Sequence, residues 1–197
     1  MCGPSRRSSG HRRPIPACAA MTKGRLGAGA GTDTRARMTI TIRPAIPTDV
    51  PVMLRFVREL AAFEKQPDAV ETTEPMLEAA LFGERPAAEA LIAERAGAPL
   101  GFAIFYHTFS TWTGRRGIWL DDLYVTPEAR GSGAGAALLQ ALAGIAVDRD
   151  CARFEWWVLD WNTHAIDFYR AKGAVAQDQW TVQRVDGAAL LALAGRA

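Results

Sequence analysis

Residues 118–147 read IWLDDLYV, TPEA, RGSGAG and AALLQALAGIAV in succession. Gly131, Gly133 and Gly135 remove the side chains that would hold a ligand off the backbone, so several N–H groups can converge where the apolar run begins. Arg130 adds a fixed positive charge carrying a fork of donors. Backbone donors, a helix start and an arginine together describe an anion site of the phosphate class, built from Arg130, Gly131, Ser132, Gly133, Ala134 and Gly135. The same glycines would also let a helix lie close to a sheet, but the arginine beside them favours the anion.

What the loop lacks narrows the choice of anion. The run 131–136 satisfies the dinucleotide pattern G-x-G-x-x-G/A. Against that reading, a Thr-Pro-Glu-Ala spacer separates it from the strand, it falls late in the chain, and no second βαβ half follows. No Lys-Ser/Thr pair closes it, which excludes a P-loop. Cys2, Cys18 and Cys151 give no disulfide framework, and His11, His107 and His164 have no zinc spacing, so no metal is expected. The longest apolar run, 134–147, is interrupted by Gln140 and is too short to span a membrane.

The elements that must position this loop come from a chain of 197 residues, 49% hydrophobic, enough for one core and one domain. Charge is uneven. Residues 1–37 hold eight Lys/Arg against Asp33 alone, a net +7, whereas residues 38–197 carry 15 basic and 20 acidic groups, a net −5. An acidic body argues for a small cationic substrate and against nucleic acid. The basic leader, 1–37, is expected to be disordered. It reads as an upstream extension, a targeting or nucleic-acid-binding tail, or a linker, and the phrase MTITIRPA from Met38, which looks like a natural start, favours the first.

From Met38 the periodicity predicts a strand at 39–43, a helix over 50–63 capped by Thr48 or Asp49, and a shorter helix from Pro75 to Gly83. Strands at 88–95 and 100–109 follow as a hairpin, then the strand at 118–125, the glycine loop and its helix. A strand at 153–159, a helix from Asn162 to Lys172, a strand at 180–185 and a small Ala-Leu helix complete an α/β domain around a mixed sheet.

With those elements in place, RGSGAG after a strand and before a helix resembles the Q/R-x-x-G-x-G/A signature of the GNAT superfamily of acyl-CoA N-acyltransferases, over residues 39–185. LDDLYVTPEARGSGAG followed by VLDWNTHAIDFYRAKGA looks like the spermidine/spermine (diamine) acetyltransferase branch. The resemblance implies a single domain with a mostly antiparallel sheet, helices on both faces, and two parallel strands that splay near Val125 and Leu159. The pantetheine arm of acetyl-CoA would lie in that gap on the backbone of Leu123, Tyr124 and Val125, with the pyrophosphate on Arg130 to Gly135. Asn162 would hold cofactor or cap the next helix. A homodimer in the cytoplasm, without a metal, is implied as well.

The resemblance also assigns the chemistry. It puts Tyr169 where the family has its catalytic tyrosine, and a phenol with a pKa near 10 suits protonation of a departing thiolate. An aromatic in DFYRAKG is also an ordinary core residue, but Phe168 fits that role and leaves Tyr169 facing elsewhere. The attacking amine must lose a proton, and Glu64, Asp121, Asp122 and Asp178 are the carboxylates to hold the cation and take it. By alternation Asp121 and Asp122 point to opposite faces, and the resemblance favours Asp121 as base. Phe63, Glu64, Asp178 and Trp180 complete the expected amine site, with Trp112, Arg115 and Arg116 lining or narrowing it. Phe63-Glu64 stands where the polyamine branch has Tyr-Glu, and Asp121 is shorter than the Glu expected there, so the identity of the amine stays open. Protein lysines or N-termini, and a non-catalytic CoA sensor, are the competing readings.

Overall fold

Alternating β-branched and apolar residues build a five-stranded sheet in the computed structural model, which describes residues 39–196. The basic leader lies outside the described residues. Strands β1 (Ile40–Pro44), β2 (Glu89–Arg95), β3 (Ala98–Ser110), β4 (Arg115–Val125) and β5 (Arg153–Trp156) lie side by side in sequence order. All neighbours are antiparallel except β4 and β5. Ala96 and Gly97, with φ of 49° and 78°, make the two-residue turn that joins β2 to β3.

Helices α1 (Val50–Phe63) and α2 (Glu74–Phe82) cover one face, where Met53, Phe56, Leu77 and Leu81 meet Ile92, Phe102, Ile104 and Tyr124. Helix α3 (Ala134–Asp148) covers the other, burying Leu138 and Leu142 on Ala103, Phe105, Ile118 and Leu120. Helices α4 (Thr163–Arg170) and α5 (Gly187–Leu193) follow β5. The α/β class, the mixed sheet and helices on both faces are as the sequence implies.

Alternation fails at one place that matters. Phe105 pairs with Leu120 and Ile104 with Asp122, so Asp121 is an extra residue in a β-bulge. Ahead of it Ile118 and Leu120 point toward α3; beyond it Tyr124 points toward α1. The expectation that Asp121 and Asp122 face opposite ways is therefore corrected. Asp122 shares the α1 side with Ile104 and Tyr124, and Asp121 lies near the paired Trp119 and Tyr106, the phenol feeling its charge.

The C-terminal third departs further. Strand β5 stops at Trp156 instead of running to 159, and 180–185 forms no strand. Trp180 and Val182 alternate as a strand would, but among the described residues no neighbouring strand supplies a ladder, and β propensity without cross-strand partners does not hold an extended chain.

One buried ion pair fixes the start of α1. Asp49 is 6% exposed and takes both Nη1 and Nη2 of Arg43, at 2.6 and 2.8 Å, and the Ile46 N–H at 2.8 Å. Arg43 Nε reaches Glu94 Oε2 at 2.8 Å, so the network ties β1, β2 and the helix together. Asp49 thus serves Arg43 instead of making a side-chain cap. Removing Arg43 strands a buried carboxylate, and Arg43→Ala should cost about 2 kcal/mol in urea unfolding at pH 7. The Arg43 hydrogen bond holds the Asp49 carboxyl below its ordinary value. Its contribution is therefore present above the ordinary carboxylate pKa and fades as pH falls through the depressed one. The gap between wild type and Asp49→Asn should narrow in acid.

Candidate active site

Pairing of β4 with β5 ends at Leu120–Trp156, while β4 continues to Val125. Beyond that point the edge of β4 is open. The Thr126 N–H donates to Leu100 O at 2.9 Å, so residues 124 and 126 bond toward β3, and Leu123 and Val125 turn their N–H and C=O groups into the gap. Arg130 Nε lies 3.4 Å from Val125 O at the same edge. Of the three residues expected to offer backbone there, Leu123 and Val125 do so; Tyr124 bonds toward β3 and buries its ring beside Phe56, at 5.7 Å.

The glycine loop closes the wide end of the gap. Gly131 and Gly133 have φ of 75° and 93°, a region that favours glycine, and a Cβ on either would meet nothing within 4 Å. The first bond of α3 is Ala137 N–H to Gly133 O, 2.9 Å, so the N–H groups of Ala134, Gly135 and Ala136 precede it as orphan donors. The Ser132 Oγ is buried with no hydrogen-bond partner. Open space, orphan N–H groups, an unpartnered hydroxyl and Arg130 fit a diphosphate.

Acidic groups gather on the α1 side of the gap. Burial raises the Glu64 carboxyl at the end of α1. Burial also raises Asp121, although its surface opens to solvent, with the Trp119 indole bond pulling the other way. Asp122 is pushed up to about 7, first by burial and then by the charges of Asp121 and Glu64. Tyr169 comes from the opposite face, half-buried against Trp156 and Phe168 with ring centroids 5.0 and 5.3 Å away. Burial, then the Glu64 charge, lifts its hydroxyl to about 12. Phe168 and Tyr169 both pack on the α3-side core, so the expected division between them does not hold. The parting of the strands lets a phenol on one face sense carboxylates on the other.

The remaining expected residues spread out. Asn162 caps α4, its Oδ1 accepting from Ala165 N–H at 3.3 Å. Phe63 ends α1 with its ring against Trp161. Asp178 and Trp180 sit in an exposed turn closed by Trp180 N–H to Gln177 O at 3.1 Å. Asp178 is not among the charges acting on Glu64, Asp121, Asp122 or Tyr169. Trp112 is 88% exposed on the β3–β4 turn, and Arg115 bonds to Asp150 across the turn after α3. Sequence reasoning missed Trp119 and Tyr106 as neighbours of Asp121, because the bulge there leaves no compositional mark, and it missed Trp156 as the ring against Tyr169. Among the described residues no group of three or more His, Cys, Asp or Glu is placed to hold a metal ion.

A sheet opened at one parallel pair, with a diphosphate cradle at the mouth and acids and a phenol beside it, defines an acyltransferase that uses a coenzyme-bound acyl group. The family model described as "Acetyltransferase (GNAT) family" matches residues 54–174. The thialysine N-epsilon-acetyltransferase of Sus scrofa is 40% identical over 169 residues, covering 80% of this chain and 99% of that one. The spermidine/spermine N(1)-acetyltransferase-like protein 1 of Homo sapiens is 36% identical over 163 residues, covering 78% of this chain and 23% of that one. Among solved structures, an integron cassette protein of V. cholerae superposes with a TM-score of 0.67 at 27% identity, covering 79% of this chain and 97% of the other. The chain belongs to the GNAT acetyltransferase family. It is an acetyl-CoA-dependent N-acetyltransferase.

Asp122 supplies a check on this geometry. A carboxyl raised on folding contributes stability below its ordinary pKa and loses it as pH rises toward 7. Asp122→Asn should therefore stabilise the fold more at pH 8 than at pH 5 in urea unfolding, the gain growing by up to about 1.4 kcal/mol for each pH unit up to 7 and levelling off above it. An equal gain at both pH values would show that Asp122 is not confined as described.

Proposed function

We propose that the chain acetylates a terminal primary amine of a small cationic acceptor of the thialysine, diamine or polyamine type. The observation that carries this is the convergence of Glu64, Asp121 and Asp122 on one side of the gap with Tyr169 reaching it from the other. Three carboxylates suit a cation, and an open trough with an acidic wall suits a small amine better than a folded protein surface. The thialysine and spermidine/spermine names of its relatives support the same acceptor class.

Bound acetyl-CoA supplies an activated thioester. Its diphosphate would rest on Arg130, Ser132 and the N–H groups of 134–136, and its pantetheine arm on Leu123 and Val125. Asp121 takes the proton that the ammonium must lose, directly or through water, while Glu64 and Asp122 hold the cation. Tyr169, protonated at neutral pH as a phenol is and held more firmly so by burial, keeps a proton for a leaving group that departs as an anion.

A homodimer belongs to the same proposal. Val175, Trp180, Val182, Val185, Leu190, Leu191 and Leu193 expose a run of apolar surface on the C-terminal arm, which a second copy would cover. Light scattering should give twice the chain mass, and deleting residues 175–197 should give a monomer. A cytoplasmic setting belongs to the same proposal.

An acceptor panel followed by CoA thiol release tests the chemistry. Thialysine, ornithine, diamines and spermidine should turn over well above N-terminal and lysine peptides; a preference for peptides, or no turnover, would sink the proposal. Tyr169→Phe should lower kcat by about 10²- to 10⁴-fold while leaving CoA affinity unchanged.

A further inference from the structure

Phe63 is the last residue of α1, next to Glu64, and its ring faces two ways. The Arg130 guanidinium carbon lies 4.9 Å from its centroid, and the Trp161 ring lies 5.7 Å away at 51°. Trp161 belongs to the loop between β5 and α4, beside the cap residue Asn162. On its ring sits Lys65 Nζ, 5.1 Å from the centroid.

Four groups, Arg130, Phe63, Trp161 and Lys65, therefore stand in a row. They join the glycine loop, the end of α1 and the loop after β5, which are the three segments surrounding the gap between β4 and β5. Core burial does not account for the arrangement, since Phe63 is 39% and Trp161 46% exposed. The backbone also departs from the ordinary here. Helix α1 ends with Lys65 N–H on Ala62 O and Gln66 N–H on Ala61 O, a termination that favours glycine at the left-handed position. Lysine occupies it with φ of 65°, and its side chain lies on Trp161.

We propose that Phe63 and Trp161 are positioning residues that bridge the gap and couple filling of the Arg130 anion site to filling of the Glu64 amine site. Arg130 closing on a diphosphate carries or releases the Phe63 ring that it covers, and Phe63 is the last helical residue before Glu64, so a shift of the α1 end moves both. A ligand that fixes Arg130 fixes the end of α1 in advance for the amine, and the benefit is reciprocal. This inference rests on the acetyltransferase reading of the cleft. The bridge is specific in kind: planar rings between two cations, which an aliphatic residue of similar bulk does not reproduce.

Calorimetry with CoA and thialysine tests it on the full chain, because CoA without an acetyl group allows no turnover. In wild type, saturating thialysine should tighten CoA binding by about two- to five-fold, the factor that one exposed cation–π contact sustains. Phe63→Leu and Trp161→Leu should each bring that factor to one, whereas Phe63→Tyr, which keeps the ring, should retain it. Arg130→Gln should weaken CoA and abolish the coupling as well, giving a readout from the other end of the row. Coupling that survives in both leucine variants, or a wild-type factor of one, would overturn the inference alone. No CoA binding at all would overturn the acetyltransferase reading with it.

Discussion

The site depends on two parallel strands that pair for four residues and then part. Gly117 to Leu120 bond to Arg153 to Trp156, and past that point β4 runs on with its outward N–H and C=O groups facing no strand, the Val125 carbonyl taking only the Arg130 Nε. Exposed strand edges are ordinarily covered, because an open row of donors and acceptors invites another chain. Here the open length is short, lies inside the domain and ends at the glycine loop. An extended amide-bearing ligand arm satisfies such an edge as a strand would, and an anion at its end falls on the orphan N–H groups of α3. The gap also lets Tyr169, packed with the α3-side core, feel the charge of Glu64 on the α1 side.

Gathering Glu64, Asp121 and Asp122 at that gap works against folding. Each carboxylate is raised by burial, and Asp122 carries the repulsion of the other two as well. In the proposed site a cationic acceptor would relieve that strain by entering, so the unfavourable electrostatics of the free protein would favour the bound one. The rest of the structure must hold the carboxylates against their repulsion. Arg43 fastens the start of α1 to β1 and β2 through Asp49 and Glu94, and Met53 and Phe56 bury its middle. The Tyr124 ring on β4 packs against Phe56 in the middle of α1, which ties the helix to β4 by contact.

Much of this was legible in the sequence, for reasons that differ by element. The glycine loop could be read because positive φ and close backbone approach restrict residue type, and the structure gives Gly131 and Gly133 that conformation. The α1 face could be read because Met53, Leu54 and Val57 repeat at helical spacing. The bulge at Asp121 could not, since an extra residue alters which face a side chain meets without altering composition. The strand expected at 180–185 failed for a related reason: alternation states that a segment would suit a ladder, but the ladder's other side is a property of the fold.

The bulge also bears on the shorter carboxylate at 121. An aspartate in regular alternation would meet the amine from one face alone, with less reach than the glutamate of the polyamine branch. On the bulge, Asp121 and Asp122 present two carboxylates to the α1 side, and Glu64 approaches from the helix end. Charge spread over three side chains would recognise an ammonium, as proposed, by total field more than by a single fixed contact. Such a site suits acceptors that share a terminal cationic amine but differ in the atoms behind it. Discrimination among them would then fall to what surrounds the acids, and Trp119 and Tyr106, both of which act on or feel the charge of Asp121, are the aromatic groups nearest it.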